Sequence, residues 1–249
     1  VNAFTLPATL PEPCSDCVPS RLNPPLTPAT SKLAFPARTI AGVPLSEPPP
    51  FNINVPATWG GSISGSGAIN NSGQFNKQLN GSAVATNVGP AFNNQASGAV
   101  NVNSGTLALG NNNVTKDSSA ITVAGGTLAI GDFSDTVGAV TLSSGSITGA
   151  NGTLSGSSYS ITNAAGNSTI SAKLGGAGTL TKTGAGNLNL TSANTYNGPT
   201  FVNVGVLAAN NVTGSATGSG NVTVISGGSL GGTGRIGGNV TVADGGVLA

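Results

Sequence analysis

The chain has 249 residues, of which only 6% are charged, and its formal net charge at pH 7 is +1. Because nucleic-acid binding and membrane-surface binding both need clustered basic residues, we expect no nucleic-acid partner. The sequence contains no His, which excludes Ser-His-Asp and Cys-His catalysis, and no apolar run approaches the roughly 18 residues of a membrane helix, so no membrane insertion is expected in this segment.

Proline and glycine divide the chain near Trp59. Thirteen of the 15 prolines lie at or before Pro56, whereas 38 of the 39 glycines lie at or after Gly60. Proline fixes φ and removes a main-chain donor, so residues 1–58 are predicted to form an extended Pro-rich arm or linker without regular helix or central strand. Residues 59–249 are predicted to form a separate repeat domain.

The Pro-rich arm contains the only cysteines, Cys14 and Cys17, in the segment CSDC. The favoured interpretation is a small local disulfide, and the alternatives are free thiols or a redox or metal role. A redox Cys-x-x-Cys pair is typical of a helix start, whereas prolines flank this pair. A zinc site needs further Cys or His ligands, which the sequence does not contain. We therefore predict no metal and no cofactor.

One short pattern, x-Val-x-Val-x-x-Gly-x-Leu, recurs in the second part of the chain. It occurs at 99–110, 120–131, 139–148, 221–234 and 239–249. Neighbouring units start about 20 residues apart, which is typical of a stacked array. Within each unit apolar and polar residues alternate, as in a strand with one buried face, and Ser-Gly or Gly-Gly pairs indicate turns.

The gaps between these strands are too short for helical crossovers, and none has a helical apolar face. A helix-free repeat of this length predicts one coil of a parallel β-solenoid, an all-β fold whose successive coils lie about 4.8 Å apart. Val100 and Val102 would point inward and Asn101 and Asn103 outward, and residues 60–249 would supply roughly nine or ten coils. The competing prediction is an antiparallel sandwich of hairpins, which would not need near-identical units.

The stretch 176–207 resembles the passenger-associated repeat of bacterial autotransporter proteins. The residues that carry the resemblance include Gly178, Leu180, Gly186, Leu188, Asn194, Tyr196, Gly198, Gly205 and Leu207. The stretch departs from the repeat at positions predicted to be surface or turn: Asn187, Ser192, Pro199 and Val206. The resemblance implies a right-handed parallel β-helix in an extracellular protein or on a bacterial outer-membrane surface.

Asp132 and Asp135, in IGDFSDTVG, are the strongest candidates for a catalytic or calcium-binding pair. A polysaccharide lyase or glycosidase on a β-helix would need facing carboxylates and a basic partner, and only Lys116 and Asp117 are close in sequence. Calcium takes about six to eight oxygen ligands, more than this set supplies. The favoured interpretation is a turn in which Asp accepts main-chain N–H bonds, so we predict that the chain is not an enzyme.

Other side chains suggest binding surfaces. Four aromatic residues are candidate sugar-stacking platforms, although packing at corners and in the core is favoured: Phe133, Tyr159, Tyr196 and Phe201. A Thr-x-Thr run, of the kind that binds ice when it is repeated on a flat face, occurs strongly once: Thr179, Thr181 and Thr183.

The favoured function hypothesis is a non-catalytic extracellular surface protein, a β-helical passenger stalk for display, adhesion or self-association. Its expected partners are glycans or other cell-surface molecules, or copies of itself. The alternatives are a polysaccharide-processing enzyme on the same scaffold and a self-assembling extracellular fibre or matrix subunit.

Overall fold

The structure is a computed structural model that describes residues 99–249 throughout and only short strands before residue 99. The predicted disulfide pair, Cys14 and Cys17, lies outside the described residues. None of the described residues is helical, so none of them belongs to a helix that could span a membrane.

All regular structure in the described residues is strand. The strands before residue 99 are β1 (Leu33–Ala34), β2 (Thr39–Ile40), β3 (Val43–Pro44), β4 (Phe51–Ile53), β5 (Ala57–Trp59), β6 (Ile63–Ser64), β7 (Ile69–Asn71), β8 (Gln74–Lys77), β9 (Thr86–Val88) and β10 (Phe92–Asn94). The later strands are β11 (Ala99–Val102), β12 (Thr106–Leu109), β13 (Ala120–Gly131), β14 (Asp135–Gly149), β15 (Thr153–Ile161), β16 (Asn167–Ile170), β17 (Lys173–Gly175), β18 (Thr179–Lys182), β19 (Asn187–Leu190), β20 (Thr200–Val202), β21 (Gly205–Ala209), β22 (Val222–Val224), β23 (Gly228–Gly231), β24 (Val240–Val242) and β25 (Val247–Leu248).

The chain winds into stacked coils, and each coil contributes to three faces in turn. The first face contains β5, β8, β11, β18, β20, β22 and β24, with the segments of β13, β14 and β15 that begin at Ala120, Ala139 and Ser158. The second face contains β6, β9, β12, β16, β19, β21, β23 and β25, with the later segments of β13 and β14. The third face contains β4, β7 and β10 and, further along the chain, the starts of β14 and β15 and then β17.

Every strand pairing on these faces is parallel, and residues 99–249 complete about eight turns. The one antiparallel pair among the described strands joins β2 to β3. The predicted parallel β-solenoid is therefore confirmed, and the antiparallel sandwich is excluded for the coils. The right-handed sense of winding stays a prediction.

Short strands of the predicted arm also pair with the first coils. β4 pairs in parallel with β7, and β5, which ends at Trp59, pairs in parallel with β8. Side chains are not described in that segment, so the predicted division between residues 1–58 and 59–249 stays a prediction.

The core is a set of rows that run along the axis of the solenoid. In β11, Val100 and Val102 are buried while Asn101 is half-buried, as the alternation predicts. Val100 lies beside Ile121 of the next coil, which lies beside Val140. Each coil thus covers the apolar side chains of its neighbour, and the contacts that stabilise the fold are mainly between neighbouring coils.

The predicted turns are bends within continuous strands in two of the coils. β13 and β14 both run from the first face to the second, and their mutual register shifts at Val123, Ala124 and Thr127. A β-bulge of this kind bends a strand without ending its pairing. Gly145 lies at this corner with φ +85°, and a Cβ there would lie 2.1 Å from the carbonyl oxygen of Gly126 in the coil below. The corner therefore requires glycine.

The first and second faces carry no charged side chain at their outward positions from Ala120 onward. Threonine, serine, asparagine and alanine occupy most of these positions. The charged residues of 99–249 that reach the surface lie on the third face or at corners: Lys116, Asp117, Asp132, Lys173, Arg235 and Asp244. Two of the three faces are thus polar but uncharged.

Candidate functional site

The residues of the predicted repeat motif fall into three structural groups. Three leucines point into the core and are fully buried: Leu180, Leu188 and Leu207. The glycines lie at the starts of strands or at corners: Gly178, Gly186, Gly198 and Gly205. The remaining two, Asn194 and Tyr196, are buried polar residues on the third face.

Gly178 and Gly198 occupy the same corner in successive coils, where the chain passes from the third face to the first. A Cβ on Gly198 would lie 2.4 Å from the carbonyl oxygen of Gly178. A Cβ on Gly178 would in turn lie 2.6 Å from the carbonyl oxygen of Gly156. The main chains approach too closely here for any other residue, which explains why the motif has glycine at this position.

Asn194 bonds to the coils on both sides of its own. Its Oδ1 accepts a hydrogen bond from the main-chain N–H of Leu174 (2.8 Å), and its Nδ2 donates to the carbonyl oxygen of Ala216 (2.6 Å). Since the side chain is buried, these bonds form away from competing water. The motif asparagine therefore joins three successive coils and contributes to holding their separation.

Tyr159 and Tyr196 lie inside the solenoid, so neither is a sugar-stacking platform. Their ring centroids are 5.8 Å apart. The Tyr159 hydroxyl accepts from the N–H of Gly156 (2.6 Å) and lies within hydrogen-bond distance of the carbonyl oxygens of Gly175 (2.7 Å) and Leu154 (2.8 Å), which share its hydrogen. The Tyr196 hydroxyl is 2.7 Å from Oγ1 of Thr200. Burial raises the pKa of both phenols, which stay neutral and hold adjacent parts of the core together.

Lys182 occupies a core row whose other members from Val102 onward are aliphatic. It lies between Ile161 in the preceding coil and Val202 in the following one, and it is 0% exposed. Its Nζ donates to the carbonyl oxygens of Gly184 and Val204, the latter at 3.3 Å. Burial lowers the pKa of this amine. The structure thus commits the one charged residue of the 176–207 stretch to the interior.

Irregular corners explain why polar side chains are needed there. The corner between the first and second faces spans 103–105 early in the solenoid and 225–227 late in it, but it spans 162–166, 183–186 and 203–204 in the coils between. Where successive corners differ in length, their carbonyl oxygens cannot all meet N–H groups of the next coil. Donors from side chains inside the corner therefore replace the missing main-chain donors.

Asn163 supplies a second such donor. Its Nδ2 donates to the carbonyl oxygen of Asn187 (2.9 Å), while its Oδ1 has no hydrogen-bond partner. Six interior polar side chains in these coils form what we call the buried polar seam: Tyr159, Asn163, Lys182, Asn194, Tyr196 and Thr200.

The two aspartates of the candidate catalytic pair do not face each other. Asp135 is buried, and its Oδ2 accepts from the N–H (3.0 Å) and from Oγ1 (3.1 Å) of Thr115 in the preceding coil. Burial raises the pKa of Asp135, and the nearby Asp117 raises it further. Asp132 is exposed and accepts from Nδ2 of Asn151 at 2.7 Å. Asp135 therefore serves coil packing, while Asp132 forms a surface hydrogen bond between coils.

Within the part of the chain that the structure describes, no three His, Cys, Asp or Glu side chains lie together in a way that could hold a metal ion. The remaining candidate surface residues are Phe133, which is half-buried and packs against the core, and Phe201, which is 36% exposed on the first face. Thr181 of the Thr-x-Thr run lies between Ser160 and Phe201 on that face, so the run is interrupted in the next coil.

Comparison with protein families finds matches in two regions of the chain. The family model described as Passenger-associated-transport-repeat matches residues 91–109 and 180–209. Both segments are thus similar to the passenger-associated-transport-repeat. The second match lies mostly within the predicted stretch 176–207 and confirms that resemblance, and the first covers β10, β11 and β12. No curated protein and no solved structure matches the chain.

The repeat implies a secreted protein or one on the surface of an outer membrane, and together with the solenoid it suggests a structural role. In the second repeat the match runs from Leu180 through Lys182, Asn194 and Tyr196 to Ala209. It therefore includes much of the buried polar seam.

Reasoning from the sequence did not single out Lys182 or Asn163 as interior residues. A signal for Lys182 was present in the strand sequence Thr-Leu-Thr-Lys. Leu180 and Lys182 are two residues apart, so their side chains lie on the same side of the strand, and Leu180 points into the core. Asn163 follows the end of β15 in a corner of unusual length, where no alternation applies, so its orientation had no sequence signal.

Proposed function

We propose that this chain is a non-catalytic part of a passenger stalk, displayed outside the cell, whose faces make contacts with glycans or with other copies of the chain. The observation that supports the proposal most directly is the burial of four of its titratable side chains. Lys182, Asp135, Tyr159 and Tyr196 are all buried, and each bonds to groups of its own or neighbouring coils. They contribute to the shape of the solenoid and are not presented to a substrate.

The surface composition supports contacts without catalysis. The outward rows of the first and second faces consist mainly of threonine, serine, asparagine and alanine. Hydroxyl and amide groups form hydrogen bonds with neutral partners and do not require the desolvation of a charge. Such rows are suited to glycans or to other copies of the chain.

Surface location is tested on intact cells that produce the protein. An antibody raised against residues 99–249 is expected to bind unpermeabilised cells, and a protease added outside is expected to remove the epitope. Binding that appears only after cell lysis would overturn the proposed display. A cytoplasmic protein detected in parallel is the control for cell integrity.

The absence of catalysis is tested with purified chain and pectins, alginate and glucans. We expect no release of reducing or unsaturated ends above a heat-inactivated control. Release that disappears in the double variant Asp132→Ala, Asp135→Ala would replace this proposal with the polysaccharide-processing alternative.

A further inference from the structure

One coil of the solenoid has apolar residues where its neighbours have polar ones. On the first face, Phe201 pairs in register with Thr181 of the preceding coil and with Thr223 of the following coil. All three positions point outward, and Phe201 is 36% exposed. A phenyl ring at a position that is threonine on both sides is not required by the repeat.

The same substitution pattern occurs on the second face of that coil. Val206 pairs with Asn187 before it and with Ser229 after it, and it is half-buried. The apolar residues therefore depart from the repeat on both faces of one coil.

The corner that joins the two faces also carries exposed apolar residues. Val204 lies in this corner and is 39% exposed, and Ile225 lies in the same corner one coil later and is also 39% exposed. We name the apolar edge as Phe201, Val204, Val206 and Ile225. Single exposed apolar residues are common, but a group that follows one edge of a solenoid marks an interaction surface.

We propose that the apolar edge is the surface through which two copies of this chain dock side by side. The inference rests on the proposed stalk function and names the contact by which stalks associate. Two copies related by a twofold axis place the edge of one against the edge of the other, so a single patch is sufficient for both partners. Phe201 and Ile225 then leave water together with their counterparts.

The charge distribution favours a second copy over a charged partner. The outward rows of the faces on both sides of the edge are uncharged, so docking buries no ion without a partner. The nearest charged residue on the same edge is Asp244, in the corner one coil beyond Ile225. It lies toward one end of the patch, as a rim charge, away from Phe201 and Val204.

The test measures the association of the full 249-residue chain by sedimentation velocity between about 1 and 100 µM. The triple variant Phe201→Thr, Val206→Asn, Ile225→Asn gives each position a residue that a neighbouring coil already carries there. Thr181 and Asn187 are the strand partners of Phe201 and Val206, and Asn203 directly follows Val202, the strand partner of Val224. We expect the wild-type chain to form a concentration-dependent dimer and the triple variant to associate at least about tenfold more weakly.

Val212→Thr is the matched control. Val212 is 90% exposed on the same coil but beyond the second face, at a different corner. We expect this variant to dimerise like the wild type. Thermal unfolding of all variants, followed at a concentration where they are monomeric, is expected to give the same midpoint within a few degrees and thus to show that the coils remain folded.

Three results would overturn the proposal. They are a wild-type chain that stays monomeric throughout the range, a dimer that the triple variant leaves unchanged, and equal loss of dimer in Val212→Thr. A monomer that binds a neutral polysaccharide through Phe201 would also overturn it and would assign the edge to glycans. Display on intact cells is measured separately, so the stalk function and the docking surface can fail independently.

Discussion

At the scale of single residues, Lys182 shows how an amine is accommodated inside a row whose other members from Val102 onward are apolar. Its amine bonds to carbonyl oxygens of Gly184 and Val204 in two successive coils. The chain thereby gains donors at a corner where main-chain pairing is incomplete, and it incurs the cost of removing an amine from water. Folding therefore favours the neutral form of the amine.

This balance predicts a pH dependence of stability. The pKa of Lys182 is lowered from 10.5 by burial, so at a pH between its folded-state and unfolded-state values the unfolded chain binds more protons. The free energy of unfolding should then rise with pH in this window, and Lys182→Met should remove that rise. Chemical unfolding at a series of pH values below the unfolded-state pKa of Lys182 measures it, and the series stops short of the range in which Tyr159 and Tyr196 ionise in the unfolded chain.

Lys116→Met is the control for this experiment, because Lys116 is exposed. It is expected to keep the pH dependence of the wild type. Identical slopes for the wild type and Lys182→Met would contradict the assignment of the rise to the buried amine.

Removal of the Asn194 side chain should cost two buried hydrogen bonds between coils. Asn194→Ala leaves the N–H of Leu174 and the carbonyl oxygen of Ala216 buried without their side-chain partner. The expected loss in the free energy of unfolding is about 3 kcal/mol. Asn187→Ala removes an exposed bond to Asn167 and is expected to cost less than about 0.5 kcal/mol. Equal losses from the two variants would mean that the bonds across coils at Asn194 are not stabilising.

At the scale of elements, the distance between coils depends on the corner glycines. Gly198→Ala inserts a methyl group against the main chain of Gly178, which has no flexible side chain to move. We expect it to lower the free energy of unfolding by about 3 kcal/mol. The measurement is equilibrium denaturation of the full chain.

Gly131→Ala separates this effect from backbone strain. Gly131 has φ +57° and open space around it, so alanine there is strained but meets no atom. A cost of about 1 kcal/mol is expected. If Gly131→Ala were the more destabilising of the two, close approach between coils would not be the reason for glycine at Gly198.

At the scale of the whole molecule, stability should depend little on ionic strength. Only 6% of the residues are charged, and the described coils are held by apolar rows and main-chain bonds. Raising NaCl from about 50 to 500 mM should screen few stabilising interactions. The midpoint of thermal unfolding is expected to move by less than about 3 °C. A larger fall on adding salt would show that ion pairs stabilise the solenoid.

The sequence was sufficient to predict the structural features that recur in each coil. Alternation in 99–110 and its recurrence near residue 120 predict strands, inward rows and stacking, because period-two patterns and coil length constrain the fold strongly. The resemblance at 176–207 was sufficient to predict the match to the repeat family.

The features that differ between coils could not be predicted in the same way. The length of each corner depends on how successive coils pair, so neither the interior position of Asn163 nor its bond to Asn187 follows from a local pattern. The apolar edge became visible only when Phe201 was aligned with Thr181 and Thr223 through strand register. Likewise, no local pattern shows that Asp132 points to the surface while Asp135 points into the interior of the solenoid.

The nearest-neighbour stacking of coils has a consequence for how such a protein changes over time. Val100, Ile121 and Val140 occupy equivalent sites, so excising the nineteen positions 121–139 would bring Val140 directly onto Val100 and leave both remaining surfaces complementary. Duplication of the same stretch would add one coil to the stack. The height of the column is thus adjustable in increments of about 4.8 Å by insertions or deletions of whole laps, with no redesign of what lies above or below.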